Sequence, residues 1–282
     1  MKILMITNPE IEEFIEDKWI ADSFTADGHF VKVVNKNYSE LLENEYDIFL
    51  KRNCWSTDES DFIVGVDSDV FKNRITNKDL PRINCDGKFD GSGKHYLCDL
   101  FKKGYEVIPS VDSPQLINNL PQCEWYLLKP HNGLDGFGVQ KVNKEELYIK
   151  WNKNYIIQPL IEFISEVQFY FVGNKFEYAL EFTPSKVPIY PEPIVYKFKE
   201  KELSLAKLFA DMSPNYNGVQ RIDFLRLKNN ELKLLEIEDS SPYLDLESVS
   251  EEMRSCFIND YKNMVYSYYQ RKNLDKKANL EK

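Results

Sequence analysis

Gln220-Arg221-Ile222-Asp223-Phe224-Leu225-Arg226-Leu227-Lys228-Asn229-Asn230-Glu231-Leu232-Lys233-Leu234-Leu235-Glu236-Ile237-Glu238 reads as two strands folded about a tight turn. Asn229-Asn230 suits a turn that needs positive φ. With that turn, Asp223 falls opposite Glu236 and Arg221 opposite Glu238, and all four side chains point to one face. Leu225, Leu227, Leu232 and Leu234 continue that face toward the turn, while Ile222, Phe224, Leu235 and Ile237 fill the other. Strands that are apolar on both sides are buried, and buried carboxylates require a partner. A hard divalent cation such as Mg2+, which takes oxygen ligands, is one such partner. An exposed hairpin carrying a cross-strand salt-bridge ladder fits this stretch, taken alone, equally well.

The chain has 282 residues, enough for one large or about two domains. Hydrophobic residues are 43% of it, as in a globular protein. The net charge of -10 repels phosphate backbones and disfavours nucleic acid as a partner. It does not disfavour a nucleotide, which needs only a few local cations. The cysteines, Cys54, Cys85, Cys98, Cys123 and Cys256, are odd in number and form no Cys-x-x-Cys, which argues against a disulfide framework or zinc site. Met1 to Thr7 is apolar but short, with Glu10, Glu12 and Glu13 close behind, so it reads as a first strand and not as a signal peptide. No apolar run approaches membrane-spanning length. The expectation is a cytoplasmic protein with no membrane partner.

The first third alternates strand and helix: strands at 2–7, 30–34 and 46–51, helices at 12–26 and 39–42, and a stop at Gly28. This predicts a small parallel sheet. It lacks the Gly-x-Gly-x-x-Gly of a dinucleotide-binding unit. A helix near 60–71 and a domain boundary near Asp86 follow. Gly87 to Gly93 is glycine-rich, and Ser92 is placed to cap a helix ending at Gly104. A β-rich block comes next, with strands at 105–109, 123–129, 139–142, 154–160, 168–172 and 176–182. Then come a helix at 203–212, the carboxylate hairpin, a helix from about 250 to 269 and a charged, frayed tail. Lys129 ends one apolar strand and precedes a loop holding Gly133, Gly136 and Gly138. Glycines let backbone N–H groups approach an anion, and a lysine adds a point charge for phosphate. On its own this is also an ordinary long turn.

Taken in order, the lysine-led helix at Lys94, the strand–Lys129–Pro130–glycine loop, Ile156-Ile157-Gln158-Pro159-Leu160 and the Arg-x-Asp/Glu-x-Glu hairpin resemble the ATP-grasp family. The likeness runs from about Asp86 to Glu247 and is nearest to the glutathione-synthetase/RimK-like branch. Lys51-Arg52-Asn53-Cys54-Trp55, the stretch from Gly93 through Gly104 to Pro109, and Leu235 to Glu238 followed by Ser241-Pro242-Tyr243-Leu244 are similar to its cycloserine-synthetase-like subgroup. The resemblance implies an α/β (α+β) chain: an N-terminal α/β domain over 1–86, then the two-subdomain ATP-grasp fold over 87–272 (about 87–155 and 156–272), and a tail at 273–282. It implies ATP held by Lys94 and Lys129, a loop at Gly133, Gly136 and Gly138 closing over the phosphates, adenine read by the backbone of Gln158, Pro159, Leu160 and Ile161, and ribose on Glu166, with Glu162 the competitor. Asp223, Glu236 and Glu238 become Mg2+ ligands, with two ions expected and Mn2+ able to substitute. Arg221 becomes the catalytic cation beside the transferred phosphoryl group. Two positions depart from the pattern: Glu238 stands where asparagine is usual, and Ser165-Glu166 where many relatives have Gly-Glu.

The implied activity is ATP-dependent carboxylate–amine ligation through an acyl phosphate, with ADP and phosphate released. The partners are a small carboxylate and an amine of amino-acid or peptide type, and a homodimer is compatible with it. A phosphotransferase that stops at phosphate transfer and a non-catalytic ATP-binding protein are the alternatives. No Ser–His or Cys–His dyad competes. The region from Arg52 to Trp55, together with 183–196 (Lys186, Tyr190 and Tyr196 within it), is the candidate for substrate selection, and a plain surface loop fits 183–196 as well.

Overall fold

The computed structural model describes every residue except 8–14, 36–44, 53–79, 86, 90–92, 133–135, 185–191, 214–215, 241 and 281–282, and the side chains of 35 and 276–280. The helices expected at 39–42 and 60–71, the Ser92 cap and Gly133 lie outside the described residues.

The parallel sheet is present. It is formed by β1 (Lys2–Thr7), β2 (Phe30–Asn35), β3 (Ile48–Lys51) and β4 (Arg82–Ile83) in the order β2-β1-β3-β4. Helix α1 (Ile15–Ala26) lies on one face, with Ile20, Ala21 and Phe24 against Ile3, Met5, Ile48 and Leu50. Gly28, at φ 82, ends that helix and turns the chain into β2.

The second sheet is antiparallel, in the order β10-β9-β8-β11-β12: β8 (Phe163–Val172), β9 (Lys175–Phe182), β10 (Ile194–Val195), β11 (Val219–Leu227) and β12 (Leu232–Glu238). Its two faces are buried differently. One packs under α2 (His95–Lys102) and α4 (Glu200–Ala210) through Phe169, Phe171, Ile222, Phe224, Leu234 and Ile237. The other meets the parallel sheet and α5 (Glu251–Leu280) through Tyr170, Tyr178 and Leu180. Helix α5 continues well past residue 269, through the stretch expected to fray. A third sheet, β6-β5-β7, comprises β5 (Tyr126–Pro130), β6 (Gln140–Val142) and β7 (Tyr155–Pro159), backed by α3 (Lys144–Lys150). Asn143 starts α3 with a capping box closed by Glu146.

The expected strand at 105–109 is instead a stitch between two sheets. Val107 bridges to Leu234 of β12, and Val111 bridges to Ile157 of β7. The segment therefore fixes the small sheet beside the large one.

The N-terminal sheet is locked to the rest by buried charge. Arg52, at the carboxyl end of β3, is fully buried and donates from Nε to Asp17 at 2.8 Å and from Nη2 to Glu16 at 2.9 Å. Its Nη1 donates to the Pro242 carbonyl at 3.2 Å, and Glu16 accepts from Leu244 N at 3.0 Å. One cation thus faces two carboxylates. Burial pushes Glu16 up to about 8, opposed by Arg52 and assisted by the Asp17 charge. Its ordinary value is 4.5, so the folded state holds this proton more tightly than the unfolded chain. The stabilisation is complete below pH 4.5 and is lost as pH rises toward 8. Urea midpoints should therefore fall over that window, and Glu16→Gln, which keeps an acceptor for Arg52 and for Leu244 N, should flatten the fall. An unchanged slope in the variant counts against a proton held at Glu16.

Candidate active site

The hairpin makes the expected site pairs, Arg221 with Glu238 and Asp223 with Glu236, but not through the expected two-residue turn. Leu227 N donates to the Glu231 carbonyl at 2.9 Å, so the turn spans residues 228–230, and of its two asparagines only Asn230 has positive φ, at 63. A bulge offsets the extra turn residue. The register shifts after Asp223, so that Phe224 faces Leu234, and Leu235 becomes a bulge. Beyond the bulge Leu234 and Leu232 turn into the core, on the face opposite to the one expected, while Glu236 and Glu238 keep the site face. β8 adds a third column: Tyr170 opposite Arg221, Gln168 opposite Asp223 and Glu166 opposite Leu225. The resulting face is a lattice, Tyr170–Arg221–Glu238 in one row and Gln168–Asp223–Glu236 in the next.

Arg221 grips Asp223 through Nε at 3.0 Å and Nη2 at 2.9 Å, and reaches Glu238 at 2.7 Å. Its Nη1 donates to the Tyr243 carbonyl at 3.3 Å. Asp223 is fully buried, and that burial pushes it up to about 7 against the pull of Arg221. Burial pushes Glu236 up, but Lys94, then Lys129, then Arg221 outweigh it and hold Glu236 below the usual carboxylate range. Lys94 makes a direct ion pair with it. Lys129 is pushed down to about 8 by burial, with Glu236 pulling it up and Lys94 pushing it down. The two lysines come from different elements, the start of α2 and strand β5, and both act on the charge of Glu236, Lys94 by a direct ion pair. Gly93, at φ 75, permits this: a Cβ there would lie 2.6 Å from His131 Nδ1 and Asn132 Oδ1. The close approach is fixed by Lys94 N donating to the His131 carbonyl at 2.9 Å.

One oxygen from each of Asp223, Glu236 and Glu238 lies within 4.8 Å of the others. An all-oxygen set such as this fits a hard divalent ion.

Other expected positions divide. Glu166 faces inward, accepts from Gln168 Nε2 at 2.7 Å, and is raised by burial. Its competitor Glu162 is exposed and paired with Lys228. Gln158 is buried with its side chain on Ser110 Oγ at 2.8 Å, and Leu160 N is already spent on the Trp125 carbonyl at 2.9 Å. Pro159 is buried and Ile161 is part-exposed. Gly136 and Gly138 both have positive φ. Two substrate-selection expectations are corrected: Arg52 is consumed by its buried ion cluster, and Tyr196 is buried against Phe169, its hydroxyl 3.3 Å from Glu202. Asn53 to Trp55, Lys186 and Tyr190 lie outside the described residues.

Some contributors carried no sequence signal. Asp239 is fully buried and accepts from Lys88 N at 2.6 Å and Phe89 N at 3.0 Å, pinning the loop that leads to Lys94 beside the last metal-set carboxylate. Asn84 holds the root of β11 in the same way, bonding Val219 N at 3.0 Å and the Val219 carbonyl at 3.1 Å. The His95 and His131 rings lie 4.2 Å apart between centroids, tilted by 48°, beside Lys94.

No protein-family model matches the sequence, and no curated protein matches it. Solved structures do match its fold. D-cycloserine synthetase DcsG superposes with a TM-score of 0.69 at 16% identity, over 93% of this chain and 99% of that one. D-alanine–D-alanine ligase from Bacillus anthracis complexed with ATP gives 0.65 at 15% identity, over 98% and 99%. The ATP-grasp ligase PsnB complexed with minimal precursor, Mg and ADP gives 0.59 at 12% identity, over 92% and 97%. Each match covers nearly the full length of this chain: the chain has the ATP-grasp fold.

Proposed function

We propose that the chain is an ATP-dependent carboxylate–amine ligase working through an acyl phosphate. The observation that carries this reading is the meeting of Lys94 and Lys129, from separate elements, at Glu236 beside Asp223, Glu238 and Arg221. Cations for phosphate next to an oxygen-rich divalent-ion set are the equipment of phosphoryl transfer. The fold neighbours named above include ligases complexed with ATP or with Mg and ADP, which supports the same chemistry.

In this reading Asp223, Glu236 and Glu238 hold Mg2+, as two ions, and the metal supplies charge neutralisation for the phosphates. Lys94 leaves its ion pair with Glu236, and Lys94 and Lys129 bind phosphate oxygens. Glu166 takes the ribose hydroxyls, and the 158–161 segment lies along the adenine. Arg221 stabilises charge on the phosphoryl group in flight. The amine then displaces phosphate from the acyl carbon. Arg52 is excluded from direct substrate contact by its burial.

ADP release in the presence of Mg2+, screened against amino acids and dipeptides with mass spectrometry of the products, tests the reading. A ligase consumes ATP productively only with acid and amine together and yields an amide. A stable phosphorylated product with no dependence on amine identifies a phosphotransferase instead.

A further inference from the structure

One inward-facing carboxylate belongs neither to the metal set nor to the nucleotide positions. Asp245 has φ 52 and ψ 35, in the left-handed region, and begins the short 3₁₀ turn Leu246–Ser248 without using its side chain to cap it. An aspartate in that position ordinarily turns its carboxylate onto the N–H groups that follow. Here it turns inward. Oδ2 lies 2.8 Å from the hydroxyl of Tyr170, a fully buried residue directly opposite Arg221.

The same hydroxyl lies 2.6 Å from Gln168 Oε1, and Gln168 Nε2 donates to Glu166 at 2.7 Å. A phenol has one proton to give but can also accept. Both protonation states of Asp245 are therefore accommodated. Ionised, it accepts from Tyr170. Protonated, it donates to Tyr170, which turns its own proton to Gln168. The group is built to receive a proton without losing its hydrogen bond.

Its position is also fixed. The preceding residues are held one after another: the Pro242 carbonyl by Arg52, the Tyr243 carbonyl by Arg221 and Leu244 N by Glu16. Asp245 therefore stands next to Arg221, beside the row Tyr170–Arg221–Glu238. We propose that Asp245 is the catalytic base of the amine half-reaction, binding the substrate ammonium and taking its proton. This rests on the ligase reading above. The balance is direct. R–NH3+ gives one proton to the Asp245 carboxylate. The nitrogen lone pair forms the C–N bond, the C–O bond to phosphate breaks, and phosphate leaves with that electron pair. The second nitrogen proton passes to the departing phosphate. Burial raises Asp245 above the usual carboxylate range, opposed by Arg221 and the Tyr170 bond, which suits a base working near neutral pH. The titratable groups around it are Arg221 of β11, Tyr170 of β8, Tyr178 of β9, Glu16 of α1, and Tyr243 and Glu247 of its own loop.

Hydroxylamine separates this role from a structural one, because it is largely uncharged at neutral pH and traps acyl phosphates without needing a base. Parent, Asp245→Asn and Tyr170→Phe are each given ATP, Mg2+ and a pool of the twenty proteinogenic amino acids, with and without hydroxylamine. Asn keeps the shape and the acceptor for Tyr170. Asp245→Asn should form hydroxamate within about twofold of the parent and lose amide formation by on the order of a hundredfold, the residual rate climbing with pH. Tyr170→Phe should shift the pH midpoint of amide formation and spare hydroxamate. Amide formation in Asp245→Asn within about twofold of the parent overturns the assignment. So does an equal loss of both products, which is what a structural role gives. A parent that yields no hydroxamate overturns the ligase reading and this assignment with it.

Discussion

Glu236→Gln should lower turnover about a hundredfold, on the order of 3 kcal/mol of lost charge stabilisation, and leave the thermal midpoint nearly unchanged. Lys94, Lys129 and Arg221 all act on Glu236, which shares the metal set with Asp223 and Glu238. Gln keeps the hydrogen-bonding shape but not the charge. The Lys94 pair is part-exposed, so its loss costs the fold little. Steady-state ADP release beside a melting curve decides the matter. A variant within about twofold of the parent in rate would return the hairpin to a salt-bridge ladder.

The largest stability effect should come from Arg52→Ala. Removing the cation strands the Asp17 carboxylate in the core, takes a donor from Glu16 and frees the Pro242 carbonyl. Breaking a buried pair from one side costs about 3–5 kcal/mol. For a chain of this size that is a fall of roughly 10 °C in the melting midpoint. The cost is uncompensated charge, so adding Glu16→Gln and Asp17→Asn to Arg52→Ala should recover a large part of it. A single variant that melts with the parent, or a triple variant that melts lower still, sinks this account of how the N-terminal sheet is held.

What the sequence disclosed follows from periodicity. Strand alternation was enough to put Arg221, Asp223, Glu236 and Glu238 on one face, but the pairs Arg221–Glu238 and Asp223–Glu236 form because the bulge at Leu235 offsets a three-residue turn where two residues were expected. The bulge at Leu235 was hidden because Leu234 and Leu235 are both apolar, and an apolar pair does not reveal which member faces the core. Asp239, Asp245 and Asn84 are single polar residues in loops, and their partners, such as Lys88, Tyr170 and Val219, are distant in sequence. No local pattern marks such contacts. Arg52 was misread for the same reason. It ends an apolar strand at the edge where open parallel sheets bind ligands, and only the folded chain brings Glu16 and Asp17 to it. Those two acids precede Trp19 and Ile20 on a helix with a buried face, a weak hint that the charges go inward. Residues 105–109 carried an apolar strand pattern, and the segment does pair, but with a different sheet at Val107 than at Val111.

The central claim is that Lys94 and Lys129 serve one Mg–ATP. Calorimetric titration of a non-hydrolysable ATP analogue with Mg2+ into the parent, Lys129→Ala and Arg221→Ala tests it most directly. The parent should bind. Lys129→Ala should bind at least about tenfold more weakly, for want of a charge-assisted phosphate contact. Arg221→Ala should bind within a few-fold of the parent while its turnover collapses. Lys129→Ala binding the analogue as the parent does would contradict the account, since the loop after β5 would then have no part in holding the phosphates.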